Sequence, residues 1–422
     1  MSVGFFFNTM FNVVDTWCAG SLGTDALAGV ALVFPLYFIW IAFANGIGQG
    51  ATALIANEMG AGREGEVGRI YVQAIGLVMA MSLVLLGLGW WWAEGVLRWL
   101  GAVDGGLEQA LKYFRVLMVG GTLLMLPLVV NSLLVASGET KSMRNFLVVG
   151  CLINVVLNPI LMKGWWGLPE MGVAGIALAT VLIQGGGAIY LGVKVSNTLI
   201  GKGLGLELVR WDGATLLKLL KQAGPAVLNM LTIALGVMVI TYYVSPYGSE
   251  AVAAVGIGTR IEQILLMPTL GLNAATLSLV GQSYGAGLMD RVRMIWVKHL
   301  QYSLVMSGIG AVLMLLFGNH LLGLFSADEK VLSYGQGYLR SAAVAIFTYP
   351  ILFVTVSAMQ GVKRSMYGLW MGVYRQLVAP LILFECLAIV LGWGADGVWW
   401  GIAGVNWSAA LAALYLGRKW LG

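Results

Sequence analysis

The chain has 422 residues, of which 59% are hydrophobic and only 10% charged, with a mean hydropathy of +0.87. That is far more apolar than a soluble domain of any size, so the sequence describes a membrane protein and leaves no room for a soluble domain. The net charge of +5 comes from basic residues spread over short connectors, without a basic patch interleaved with aromatics, which excludes a nucleic-acid surface.

The first apolar run, Phe5 to Gly20, carries a single carboxylate, Asp15. An ionised acid inside a bilayer costs at least a few kcal/mol, so it is expected to face the protein interior and take part in transport. The alternative is a place at headgroup level or a cap on the next helix. Five to eight residues separate Asp15 from the turn at Gly20 to Asp25, and at ~1.5 Å per residue that places it below the surface.

Gly, Pro and charge clusters then divide the chain into twelve predicted spans: 3–21, 26–57, 67–93, 108–137, 143–163, 172–196, 217–244, 250–284, 292–317, 331–360, 366–391 and 395–417. Each is long enough to cross a hydrocarbon core of ~30 Å. Arg63, Arg69, Lys141, Arg144, Lys194, Lys202, Arg210, Lys218, Lys221, Arg291, Arg293, Lys298, Lys363, Arg364, Arg418 and Lys419 fall on one set of connectors and the tail, against Arg98, Lys163 and Lys330 on the other. The richer side, with both termini, is expected to be cytoplasmic, in an inner or cytoplasmic cell membrane. Cys18, Cys151 and Cys386 all lie in apolar segments, as small core residues do.

The longest connector separates two similar halves, giving a six-span lobe over 1–200, a linker over 201–215 and a second lobe over 216–422. Gly46 to Gly62 sets against Gly271 to Gly287 at a constant spacing of 225, which also pairs Gly23 with Gly248 and Asp25 with Glu250. Further on, Pro127 and Gly138 match Pro350 and Gly361, Pro159 matches Pro380, and Gly172 and Gly175 match Gly394 and Gly397. Six spans is an even number, so the halves share one topology and are expected to be related by a pseudo-two-fold axis along the membrane normal, with a cavity between them. At this spacing Pro225 pairs with a position before Met1, and Leu217 to Gly224 has no counterpart. Either the true start lies upstream or the first span is shorter by a half-turn or two.

The halves differ in polar content. Asp15 pairs with Ile240, Asn154 with Arg375 and Asn158 with Ala379. Asn154 and Asn158 share a helix face beside Pro159, at the depth of Asp15, and Thr180 reaches that level from the sixth span. A carboxylate, two amides and a hydroxyl can hold a proton or a small cation, while amides that merely bond helix to helix are the plain alternative. Phe11 and Asn131 are candidate cavity residues. Arg260, Glu262, Arg375 and Glu385 are expected to form structural ion pairs.

The order of these features resembles the multidrug and toxic compound extrusion (MATE) family over essentially the whole chain. The residues that carry the resemblance are Asn12-Val-Val-Asp15-Thr, Gly60-Ala-Gly62 and Gly285-Ala-Gly287, Gly138-Glu-Thr-Lys141, Asn154-Val-Val-Leu-Asn158-Pro159, and Gly172-Val-Ala-Gly175 with Ala179-Thr180. It implies an all-α antiporter of two six-helix lobes, exporting amphipathic or cationic small molecules in exchange for H⁺ or Na⁺, working as a monomer and without a cofactor. The branch with coupling acids in spans seven and ten does not match, because neither span holds an Asp or Glu here. Asp15, Asn154 and Thr180 match the branch that couples in the N-terminal lobe, and Asn158 stands where that cluster often has a second Asp, which favours H⁺. A lipid-linked precursor flippase of the same broad superfamily is the nearest rival. A membrane-embedded enzyme is remote: His299 and His320 stand alone, and there is no paired-Asp motif.

Overall fold

The computed structural model describes residues 2–203 and 211–421, without the side chains of residues 2, 3, 5, 8 and 104. Residues 204–210 of the predicted linker lie outside the described residues. The helices are α1 (Ser2–Ser21), α2 (Thr24–Gly60), α3 (Glu64–Trp99), α4 (Asp104–Val119), α5 (Gly121–Ala136), α6 (Lys141–Lys163), α7 (Val173–Ser196), the single turn α8 (Leu199–Lys202), α9 (Gly213–Val244), α10 (Ser249–Gly285), α11 (Met289–Gly323), α12 (Glu329–Ala345), α13 (Thr348–Gly361), α14 (Met366–Val373), α15 (Ala379–Phe384) and α16 (Ala395–Leu421).

These make twelve spans. Eight are long and apolar enough to cross a membrane unbroken, and α4 with α5 and α12 with α13 are two more, bent by 49° and 48°. The remaining two are α1 and α16, of 20 and 27 residues. The bends were not visible in the hydropathy pattern. The first falls at Gly120 and Gly121, where a Cβ on Gly121 would lie 2.6 Å from the Trp40 indole nitrogen. The second has no glycine. There Pro350 sits in the first turn of α13 and lacks the N–H that would continue the ladder to Ile346, and one residue earlier in that ladder the Thr348 hydroxyl donates to the Ala345 carbonyl at 2.6 Å. The eleventh span is a helix with two π segments, Tyr374–Val378 and Glu385–Val390, on either side of α15. Pro380 opens α15, so the wider turn before it absorbs the missing donor.

Local chemistry fixes the helix ends. Asp328 caps α12 by accepting from the backbone of Lys330 and Val331, Glu139 accepts from Lys141 and Ser142 at the start of α6, and Thr198 caps α8. Asp212 accepts from the Thr215 hydroxyl and from the amides of Ala214 and Thr215 ahead of α9. The Thr215 hydroxyl bond, outweighing desolvation, holds that half-buried carboxyl below its usual range. Both Gly-Ala-Gly turns end on a left-handed residue, Gly62 at φ 71° and Gly287 at φ 75°, a conformation that costs glycine nothing. The first is further fastened by the Glu58–Arg63 ion pair.

The internal contacts divide the chain into two units, residues 3–227 and 228 onward. The division falls inside α9, beyond the predicted linker. Gly46 and Gly50 on α2 have no side chains, so the backbones of Val227 and Ala223 approach them directly and the first half of α9 joins the first unit.

In the first unit α2 packs on α3, α4 and α5, and α7 on α5 and α6. In the second, α10 packs on α11, α12 and α13 in the same order, and α16 on α12 and α13. The repeat is therefore structural. Gly175 and Gly397 show how close it is: a Cβ on Gly175 would lie 2.6 Å from the Leu161 carbonyl carbon, and one on Gly397 2.6 Å from the Ala388 backbone. Apolar side chains are as comfortable in lipid as in protein, so helices here associate by such close packing rather than by escape from water. Cys18 and Cys151 are buried as expected, whereas Cys386 is exposed, on the outer face of its span.

Candidate functional site

Asp15 is placed by the faces of α1. Phe11, Asp15 and Cys18 recur at helical spacing and are buried, while Val13 and Trp17 on the opposite side are 52% and 71% exposed. α6 shows the same pattern, with Gly150, Cys151, Asn154, Asn158 and Leu161 turned inward and Val149, Ile153 and Val156 outward. On α7 the inward face carries Val173, Ile176, Ala177 and Thr180.

These three faces meet at the carboxylate. Asp15 is 7% exposed, and Asn154 and Asn158 are fully buried. Oδ1 of Asp15 accepts from Nδ2 of Asn158 at 2.7 Å and from Nδ2 of Asn154 at 3.0 Å. Its Oδ2 accepts from the Thr180 hydroxyl at 3.1 Å. Asn158 also approaches the Asn154 amide oxygen at 3.4 Å. All four residues singled out in the sequence are thus brought together by α1, α6 and α7 of the first unit.

Three donors and no acceptor around one carboxylate suit its ionised form. The amide oxygen of Asn158 is buried without a hydrogen-bond partner, an atom placed to accept a proton donor or ligate a cation. Turning either amide half a rotation about its terminal torsion replaces N–H by oxygen, so the same side chains can face a bare carboxylate or help hold a small cation.

Two further residues belong here that sequence reasoning did not select. The phenols of Tyr37 on α2 and Tyr113 on α4 lie within electrostatic reach of Asp15. Of the two predicted cavity residues, Phe11 is buried in the core of the first unit against Gly150. Asn131 is also buried, on α5, with its amide oxygen unpartnered.

The expected structural ion pairs take another form. Among the described residues, no ion pair within 4 Å joins Arg260, Glu262, Arg375 or Glu385. Glu262 accepts from the Tyr338 hydroxyl at 3.1 Å, and Glu385 from that of Tyr243 at 3.0 Å. The Arg375 guanidinium stands over the rings of Tyr349 and Phe353, 5.3 and 5.8 Å from their centroids. Arg260 is two residues from Glu262 on the helix, points elsewhere and is exposed. Aromatic rings and phenols thus take the places that opposite charges were expected to fill.

Comparison with known proteins bears on the family and the fold. The MatE family model matches residues 1–160 and 225–383. The probable multidrug resistance protein YoeA of Bacillus subtilis is 28% identical over 347 residues, covering 82% of this chain and 74% of its own. The FAD transporter of Shewanella oneidensis is 28% identical over 414 residues, 97% of this chain and 90% of its own. Among solved structures, a MOP superfamily transporter from Pyrococcus furiosus superposes with a TM-score of 0.92 at 23% identity, over 100% of this chain and 93% of its own.

Proposed function

The chain belongs to the MatE family, whose members are membrane transporters and not enzymes, and from that premise we propose a secondary antiporter that exports amphipathic or cationic toxic compounds in exchange for protons. The observation that carries the proposal is the buried carboxylate of Asp15 with three convergent donors. Asp15 is the coupling group, as in the branch of the family that couples in its N-terminal lobe.

Ionised, Asp15 ties α1 to α6 and α7 through hydrogen bonds worth ~1.5–3 kcal/mol each. Protonation removes an acceptor and creates a donor, so the three bonds cannot all persist. The new O–H finds its partner in an amide oxygen, Asn158 or Asn154, after the amide turns. About 1.4 kcal/mol is tenfold in population, so the loss of a single such bond is enough to bias α1 between two arrangements. Alternating exposure of the site to the two sides of the membrane then links proton entry to substrate exit. Na⁺ is the rival ion: it needs several oxygens and is held best where carboxylate charge offsets its lost water, and here only one carboxylate is at hand.

Efflux from proteoliposomes under separately imposed H⁺ and Na⁺ gradients tests this. A proton gradient is expected to drive export and a sodium gradient at fixed pH is not. Asp15→Asn keeps the shape of the side chain but cannot cycle a proton, so it should abolish coupled export while leaving thermal unfolding near that of wild type. Uphill efflux by Asp15→Asn would refute the proposal. The relative named a FAD transporter makes a flavin dinucleotide the second cargo to load into the same vesicles.

A further inference from the structure

The second unit contains a buried acid that the scheme above does not use. Glu262 lies in the first half of α10, 6% exposed. Its polar neighbours come from α12, α13 and the first π segment. Tyr338 on α12 donates to it at 3.1 Å. Tyr349 on α13 lies within electrostatic reach of Glu262 and close to the Asn406 amide on α16. Arg375, from the first π segment, covers the Tyr349 ring without forming an ion pair with the acid. Among the described residues, α11 sends no titratable group to it. The amide oxygen of Asn406, itself buried, has no partner.

The repeat shows that this place is not arbitrary. α2 and α10 begin at Thr24 and Ser249 and end at Gly60 and Gly285, and α4 and α12 begin at Asp104 and Glu329, all at a spacing of 225. The register therefore pairs Tyr37 with Glu262 and Tyr113 with Tyr338. Tyr37 and Tyr113 are the two phenols that feel the charge of Asp15. In each unit, then, a buried carboxylate lies within electrostatic reach of a tyrosine at the same register, Tyr113 on α4 and Tyr338 on α12, and in the second unit the two are hydrogen-bonded. The first unit supplies its carboxylate from the first helix of the repeat and the second unit from the second helix.

A glutamate kept only to neutralise an arginine would be expected within ion-pair distance of it, and Glu262 is not. We propose that Glu262 is the centre of a second proton-binding site, confined to the second unit, with the Tyr338 hydroxyl as its hydrogen-bond donor. The proton comes from water on the side to which the site opens and rests on one carboxylate oxygen, and the Tyr338 phenol that donated to it turns to the other carboxylate oxygen. The proposal rests on the transport reading only for its use; the site itself is a property of the protein without substrate.

The test uses infrared difference spectra of the full chain in lipid nanodiscs, titrated from acid to alkaline pH with no substrate present. Wild type is expected to show two buried protonated-carboxyl bands that titrate. Asp15→Asn should remove one and Glu262→Gln the other. A Glu262→Gln spectrum identical to wild type overturns the second site, because a permanently ionised structural glutamate contributes no such band. Where Glu262→Gln does not fold, Tyr338→Phe in the Asp15→Asn background keeps the acid and should move the midpoint of the surviving band by about one pH unit, the equivalent of one hydrogen bond to a charged group. An unmoved midpoint overturns the site equally. Because no cargo is involved, a failed efflux assay leaves this result standing and a silent Glu262 leaves Asp15 coupling untouched.

Discussion

At the scale of single residues, the Asp15 cluster allows a direct test of the coupling ion. Its neutral members, Asn154, Asn158 and Thr180, supply oxygens but no second charge. Asn158→Asp places a second carboxylate against Asp15, and a unit charge a few Å away in a partly screened site is worth several kcal/mol to a bound cation. Isothermal titration with Na⁺ at alkaline pH should therefore show binding at least about tenfold tighter in Asn158→Asp than in wild type. Saturable binding by wild type that equals the variant's would reverse the proton assignment. The four cluster residues were legible in the sequence because polar groups in an apolar helix stand out, and because spacings of three and four reveal a shared face. Tyr37 and Tyr113 were not, since a tyrosine in a chain with 15 of them carries no mark of its partner. The same blindness misassigned Glu262 and Glu385: composition shows that arginines are available as partners, and only the fold shows that Tyr338 and Tyr243 are nearer.

At the scale of helices, close approach of backbones holds the spans together, and the paired glycines measure it. Gly175→Val sets a branched side chain against the backbone of Leu161 and Met162. Overpacking of this kind typically costs ~1–3 kcal/mol. Gly186→Val, on the same helix with nothing within 4 Å, is the control. Thermal unfolding in detergent should occur at a lower temperature for the first and be nearly unchanged for the second; equal midpoints would mean that α6 and α7 are not locked at Gly175. The pairing of Gly175 with Gly397 was readable because only glycine fits such a contact. Other pairings were not. Gly138 was matched to Gly361, yet the left-handed residue equivalent to Gly138, at φ 85°, is Lys363, at φ 63°. Gly361 stays helical instead, with Val280 and Gly281 against it. Nor did the sequence announce the bends in the fourth and tenth spans, because a hydropathy window averages across a break that leaves every residue apolar.

At the scale of the whole molecule, orientation in the membrane is set by where the cations lie. A positively charged connector is held on the cytoplasmic side during insertion, and the bias counts most within short connectors near the span ends. Lys141 and Arg144 at the start of α6, Arg291 and Arg293 at the start of α11, and Lys363 and Arg364 before α14 all belong to one side. The opposite side carries Lys330 beside Glu250, Arg98 paired with Glu94, and Lys163 over the Trp165 ring, so two of its three connector cations are locally offset by an acid. Both termini and the richer connectors are therefore expected in the cytoplasm. Single cysteines in a background lacking the native three report this directly. Ser249 at the start of α10 and Ala327 ahead of α12 are exposed and should react with an impermeant maleimide applied to intact cells. Ser142, on the other side, is buried and would react poorly from either direction, so its exposed neighbour Lys141 is the better reporter. Cysteine at Lys141 should react only after the membrane is opened. Labelling of Lys141→Cys in intact cells, with Ser249→Cys and Ala327→Cys protected, would invert the topology and with it the direction in which Asp15 must take up its proton.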